Sequence, residues 1–236
     1  MQKLLLSCLL TAAAFAASAQ EPRPTYVINP GETLRGKLTN ADVYKYANFG
    51  PGTVYFKNGA ATNAPLNYNF VLAAIQFIDP KGDTLTLGNE DQIDLITVGN
   101  DSFYHNKVYL QLAGRMGDGT SIYRKEFMRL ASVRKIGLFD QPVEGGSAES
   151  FSSFWSNSTV EDKSLALRQR LTLVRETFLY ITDKYEHLVL VASRRNFEKI
   201  YPKKKSAIGE YLAANKVDFQ SLNDVQALMV YLQDHS

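Results

Sequence analysis

From Thr25 to about Ile136 the chain alternates short apolar-and-polar runs with clusters of turn residues, a period-two pattern that predicts strands joined by hairpins. Thr53–Lys57 ends at Asn58-Gly59, a pair in which both residues tolerate positive φ. Ala74–Ile78 runs into Asp79-Pro80-Lys81-Gly82-Asp83 and is followed by Thr84–Leu87, which predicts one hairpin. Ile93–Val98, Gly99-Asn100-Asp101 and Ser102–His105 predict another. Val108, Leu110 and Leu112 alternate with Tyr109 and Gln111, and Met128, Leu130 and Ile136 are expected on one face of a further strand. The same pattern returns at Leu171–Ile181. Leu188–Ala192 is apolar on both faces, as expected of a central strand.

At Ser193 the period changes to that of a helix. Ser193 is placed to cap a first helix carrying Phe197, Ile200 and Tyr201, and Pro202 is expected to end it and begin a second with Ile208, Tyr211 and Leu212. Ser221 and Asp224 form a capping box for a third, with Val225, Leu228, Met229 and Leu232 on its inner side. The expected class is therefore α+β: an antiparallel β-rich body of short strands and hairpins, closed by a C-terminal bundle of about three short helices. The expected segments are a signal peptide at 1–19, a β-rich region at 20–140, a Ser/Gly-rich loop or linker at 141–164, further strands at 165–192 and helices at 193–236. Phe151, Phe154 and Trp155 are unusual for a free linker and are expected to pin it to the body.

The first nineteen residues add a compartment. Lys3, the leucines that follow and Ala17-Ser18-Ala19 make a secretory signal cleaved after Ala19, too short to be a membrane anchor. The single cysteine, Cys8, falls inside it and too early for a lipoprotein cleavage site, so the mature chain is expected to carry no thiol and no disulfide. Thirteen Tyr and thirteen Phe suit half-buried pleated surfaces.

With 26 Lys and Arg against 24 Asp and Glu, no overall field marks a nucleic-acid binder, and none is expected as a partner. The charges are uneven, however. Asp79, Asp83, Glu90, Asp91, Asp94 and Asp101 face only Lys81 in their stretch, whereas Arg194, Arg195, Lys199, Lys203, Lys204 and Lys205 face only Glu198. Three lysines at the start of a helix oppose its dipole, so local helix stability does not explain them. These six bases are the candidate contact with an anionic partner, either an envelope component, an acidic protein or the chain's own acidic turns.

Other motifs carry little. Gly31–Leu38 resembles a phosphate loop without the Ser or Thr that holds magnesium, and Tyr26–Leu34 resembles the opening of a LysM wall-binding module with its helix interrupted by Arg35-Gly36-Lys37. Ser132 and Lys135 fit Ser-x-x-Lys, but in a strand they point to opposite faces. His105, His187 and His235 lack metal-ligand spacing, and Glu90, Asp91 and Asp94 lack a calcium-loop pattern. No catalytic residue, cofactor or metal is expected.

Phe56-Lys57-Asn58-Gly59, Leu66-Asn67-Tyr68-Asn69, Phe77 through Leu85, Gly99 through Tyr104, Asn196-Phe197 and Tyr201-Pro202-Lys203-Lys204-Lys205 carry a resemblance, as do Ile208, Tyr211-Leu212, Asn215-Lys216, Phe219 and Tyr231-Leu232. Together they resemble an uncharacterised family of exported proteins from Bacteroidetes-type bacteria. The resemblance implies a compartment and a fold unit, without an assigned activity. It also makes Asp83-Thr84-Leu85 a candidate O-glycosylation pattern, with Thr84 as acceptor. The expected function is non-enzymatic binding or scaffolding in the periplasm or at the cell surface. A hydrolase-type enzyme with a site assembled from dispersed residues and a LysM-like wall binder are the alternatives.

Overall fold

The computed structural model describes residues 23–136, 142–143 and 169–234. Residues 1–19, expected as a signal cleaved after Ala19 and containing Cys8, most of the 141–164 stretch with Phe151, Phe154 and Trp155, and His235 lie outside the described residues. The strands are β1 (Thr25–Ile28), β2 (Gly50–Phe56), β3 (Ala61–Asn69), β4 (Ala74–Ile78), β5 (Thr84–Thr86), β6 (Ile93–Val98), β7 (Asp101–Asn106), β8 (Val108–Arg115), β9 (Ser121–Ile136), β10 (Pro142–Val143), β11 (Gln169–Thr182) and β12 (Val189–Val191). They form one sheet in the order β1-β11-β9-β8-β7-β6-β2-β3-β4-β5, with β10 on β9 and β12 on β11. Every pairing is antiparallel. The helices are α1 (Leu34–Lys37), α2 (Asn40–Val43), α3 (Arg194–Ile200), α4 (Lys205–Ala214) and α5 (Leu222–Asp234). The architecture is α+β, an antiparallel sheet with its longer helices at the C-terminal end.

The two strands of the β9–β11 ribbon are longer than the short elements expected, sixteen and fourteen residues. Sequence reading caught their apolar ends and missed the charged middle, which keeps period two through Arg124, Glu126 and Arg175. A bulge between Thr172 and Leu173, opposite Leu130 and Ser132, then shifts the parity of the ladder. The strict alternation expected from Met128 to Ile136 does not survive that extra residue.

β12 is an edge strand, not a central one: β1 occupies the Leu171–Val174 part of β11, leaving β12 only Tyr180–Thr182. Leu188 and Val191 accordingly remain 43% and 42% exposed. The turns α1 and α2 were not expected. Thr33 caps α1 by accepting a hydrogen bond from Gly36 N–H at 3.0 Å. Thr39 N–H and hydroxyl both donate to Asp42 Oδ2, at 2.8 and 2.7 Å, and hold α2. The Arg35-Gly36-Lys37 run therefore sits in a helical turn that it was expected to interrupt.

Three apolar cores follow. The first lies inside the curled sheet and is built from Val54, Leu66, Tyr68, Phe70, Ile75, Ile96 and Phe103. The second joins Ile122, Leu179 and Ile181 of the ribbon to Phe197, Ile208, Val225, Leu228, Met229 and Leu232 of the helices, as the inner stripes predicted. Tyr201 hydroxyl ties this core to the β8–β9 turn, donating to Asp118 Oδ2 at 3.2 Å and lying 3.1 Å from the Thr120 hydroxyl. The third packs Ile28 and Leu38 on Met128, Leu171 and Leu173. The sheet bends back on itself where Met128 N–H donates to Phe70 C=O at 2.7 Å.

Candidate functional site

The basic end is built on a firm base. Ser193 caps α3 by accepting from Asn196 N–H, and Phe197 and Ile208 anchor α3 and α4 with no exposed surface. The second helix starts at Lys205 and not at Pro202, because Pro202 and Lys203 lie in the intervening turn. Only Lys205 of the three lysines is therefore in the first helical turn. Lys204 is half-buried and its ammonium donates to the Leu232 carbonyl, in the last turn of α5. A cation at a helix C-terminus is favourable, so the chain itself supplies the partner for one of the six bases. Arg194 Nε pairs with Glu198 Oε1 at 3.0 Å, which accounts for a second.

Arg195, Lys199, Lys203 and Lys205 are exposed and, among the described residues, form no ion pair. The acidic turns are occupied elsewhere. Asp79 Oδ1 accepts from Lys81 N–H and Asp83 N–H, Asp101 accepts from Tyr46 hydroxyl at 2.6 Å, and Glu90 stands 4.0 Å from His105. No ion pair joins these acids to the basic end among the described residues.

A second polar centre was not legible in the chain. On one face of the β9–β11 ribbon Arg124, Glu126 and Arg175 lie between the apolar residues of the second and third cores. Glu126 Oε2 accepts from Lys45 Nζ at 3.0 Å, and Arg175 Nη2 stands 3.4 Å from Glu126 Oε1. The Arg175 guanidinium also lies over the Phe70 ring, 3.5 Å from its centroid. Burial pushes the Glu126 carboxyl up, but Lys45, Arg175 and Arg124 together outweigh it and hold the group below the ordinary glutamate range.

The strap carrying Lys45 is fixed by a buried amide. Asn67 Oδ1 accepts from Tyr46 N–H at 3.1 Å, and its Nδ2 donates to Tyr46 C=O at 2.8 Å. Asn69 accepts from Val71 and Leu72 N–H, which shapes the β3–β4 turn, and donates to Gln76 Oε1.

Lys45, Arg124 and Glu126, together with Tyr68, Phe103, Tyr109 and Gln111, line a crevice too narrow to admit a water molecule. Tyr68 and Phe103 stack at 5.6 Å along its wall. Burial, and after it the neighbouring Glu90 carboxylate, raises the Tyr109 phenol above its usual range. Lys45 and Glu126 are separated in the chain from each other and from Arg175; the β9–β11 register sets Glu126 beside Arg175, and the contacts of Tyr46 with Asn67 and of Lys45 N–H with the Tyr68 carbonyl bring in Lys45. Leu66-Asn67-Tyr68-Asn69 forms the scaffold of this centre without indicating its charges.

Of Tyr26–Leu34, Tyr26 to Ile28 lie in β1, paired with β11, and Leu34 starts α1, while Glu32 Oε2 accepts from Asn29 N–H at 2.8 Å. Ser132 lies at the bulge. His187 stacks on Tyr185 at 5.7 Å. Thr84 begins the exposed edge strand β5, opposite Ile78, so it is open to modification. No three His, Cys, Asp or Glu residues converge as a metal site among the described residues, and no described helix is long and apolar enough to cross a membrane. Compared with known protein families, characterised proteins and solved structures, the chain matches none of them.

Proposed function

We propose that this is a non-enzymatic binding or scaffolding protein of the periplasm or cell surface, which engages an anionic envelope component through the face formed by α3, the following turn and α4. One observation carries the reading: Arg195, Lys199 and Lys205 on the two helices and Lys203 in the turn between them stay exposed and, among the described residues, form no ion pair, while the inner residues Phe197 and Ile208 are fully buried. Clustered, uncompensated cations repel one another, and an external polyanion removes that cost. The export signal at 1–19 and the family resemblance support the compartment. Phosphate-rich lipopolysaccharide has the complementary charge.

The test compares wild type with a variant carrying Arg195→Gln, Lys199→Gln, Lys203→Gln and Lys205→Gln, leaving Lys204 in its structural contact. Both are passed over immobilised lipopolysaccharide and over an outer-membrane protein extract. Wild type is expected to bind lipopolysaccharide and to be released as salt rises past 0.1 M, where the screening length falls to about 10 Å. The variant should bind far less at low salt. Equal retention of the two folded proteins refutes the proposal, and retention on the protein extract alone replaces the lipid partner with an acidic protein.

A further inference from the structure

The turn between β11 and β12 shows solvent only part of its chemistry. Its two acids are engaged by the protein itself. Asp183 Oδ1 accepts from Leu188 N–H at 3.0 Å, and Glu186 Oε1 accepts from the Ser121 and Tyr123 hydroxyls, both at 3.0 Å. Glu186 holds a left-handed φ of 57° in this arrangement, and Arg115 stands 3.7 Å from the same carboxylate oxygen. Lys184, Tyr185, His187 and Leu188 are left exposed, Tyr185 to 64%. The Tyr185 ring stacks on His187, and the Lys184 ammonium lies 4.7 Å from its centroid. The turn also lies beside the basic end. A Cβ on Gly119 in the β8–β9 turn would stand 3.3 Å from the Lys184 carbonyl oxygen, and Asp118 of that turn accepts from Tyr201, which closes α3 just before Lys203. On its other side, β12 leads through Ala192 and Ser193 into Arg194 and Arg195.

We infer that this turn is the apolar half of a membrane contact, in which Tyr185 and Leu188 enter the headgroup region of a bilayer carrying anionic lipids while the basic face of α3 and α4 holds the phosphates. The inference names the anionic envelope component of the proposed function as a lipid surface, and so rests on that reading. Cations alone match any polyanion. An exposed tyrosine and leucine beside them match a surface that is anionic outside and hydrocarbon beneath. Tyrosine suits that boundary because its ring is apolar while its hydroxyl stays in the polar layer. The engaged acids matter as much. Free carboxylates at Asp183 and Glu186 would be repelled by lipid phosphate, whereas their bonds to Leu188, Ser121, Tyr123 and Arg115 leave Lys184 as the outward charge of the turn.

The experiment is co-flotation of the protein, purified after export, with vesicles of phosphatidylethanolamine and phosphatidylglycerol. Vesicles of phosphatidylcholine and soluble polyphosphate are the other two arms. Wild type should float with the anionic vesicles and bind polyphosphate, and should not float with phosphatidylcholine. Burial of one large apolar side chain corresponds to about tenfold in affinity, so Tyr185→Ser with Leu188→Ser should weaken vesicle binding by about tenfold or more. The same variant should bind polyphosphate as wild type does, because that polyanion offers nothing apolar. Tyr185→Ser alone gives a second reading should the double variant fail to fold, and it should also weaken vesicle binding. Vesicle binding equal to wild type by the folded double variant, or by Tyr185→Ser where the double variant does not fold, overturns the inference. So does failure of wild type to float with anionic vesicles. The four-site variant of the basic end should lose both vesicles and polyphosphate; if it binds both as wild type does, it is the proposed function that fails.

Discussion

Replacing Glu126 by Gln removes one negative charge and keeps the shape of the side chain. Lys45 and Arg175 then lose the carboxylate they share, at 3.0 and 3.4 Å. Neither has another carboxylate within ion-pair distance among the described residues, and Arg124 adds a third cation nearby. Breaking a buried ion pair from one side costs about 3–5 kcal/mol, because the remaining charge is left desolvated. The Glu126 and Lys45 side chains retain 16% and 15% exposure, so residual solvation places the expected loss at the low end, about 3 kcal/mol. For a domain of this size that is a fall of about 6–12 °C in melting temperature.

The pH dependence follows from the lowered carboxyl pKa. A group whose folded pKa lies below its unfolded value adds stability above the unfolded pKa and loses it as pH falls through the folded one. The gap between wild type and Glu126→Gln should thus be full at pH 7 and shrink as pH drops below the ordinary glutamate range. Urea denaturation of both proteins at pH 7 and at pH 3 measures it. A gap under about 1 kcal/mol at pH 7, or one that does not narrow with acid, refutes the argument that this carboxylate holds three cations in place.

Leu228 has no exposed surface in the second core, so Leu228→Ala should cost about 2–5 kcal/mol in a urea melt. A variant as stable as wild type would mean that α5 does not help close the body. A Cβ at Gly52 would stand 2.6 Å from both the Thr97 carbonyl oxygen and Leu66 Cδ1. Gly52→Ala must therefore move backbone between β2 and β6 and should cost about 1–3 kcal/mol, read from the same melts.

The hairpins and the three C-terminal helices were legible because their signals are local. Asn58-Gly59 bends the chain where it stands, and Ser221 with Asp224 caps a helix from three residues away. The single-turn helices α1 and α2 were missed because four residues carry no apolar period, although Thr39 and Asp42 formed a capping signal that could have been read. Leu188–Ala192 misled because apolar residues on both faces indicate burial only when a neighbour exists on each side, and β1 had already taken the longer part of that edge. The basic end was visible as a charge run. Its internal compensation through Lys204 and the Leu232 carbonyl was not, since a backbone acceptor leaves no mark in the residue sequence. The Glu126 centre needs Lys45, Arg124 and Arg175 from three elements, and their meeting depends on how far each strand slides past the next.

The pairing of β1 with β11 has a kinetic consequence. Thr25 through Ile28 find their partners only at Leu171 through Val174, so the first strand of the sheet has nothing to pair with until nearly the last strand is available. Loop closure on that scale is slow compared with local hairpin formation, and an unpaired edge waits meanwhile for any extended chain that reaches it. The hairpins from β2 to β8 can assemble early and independently, whereas the third core, which needs Ile28 against Leu171 and Leu173, has to be completed last. Refolding should therefore be biphasic in time, with the late phase carrying the docking of the N-terminal strand and the highest risk of aggregation.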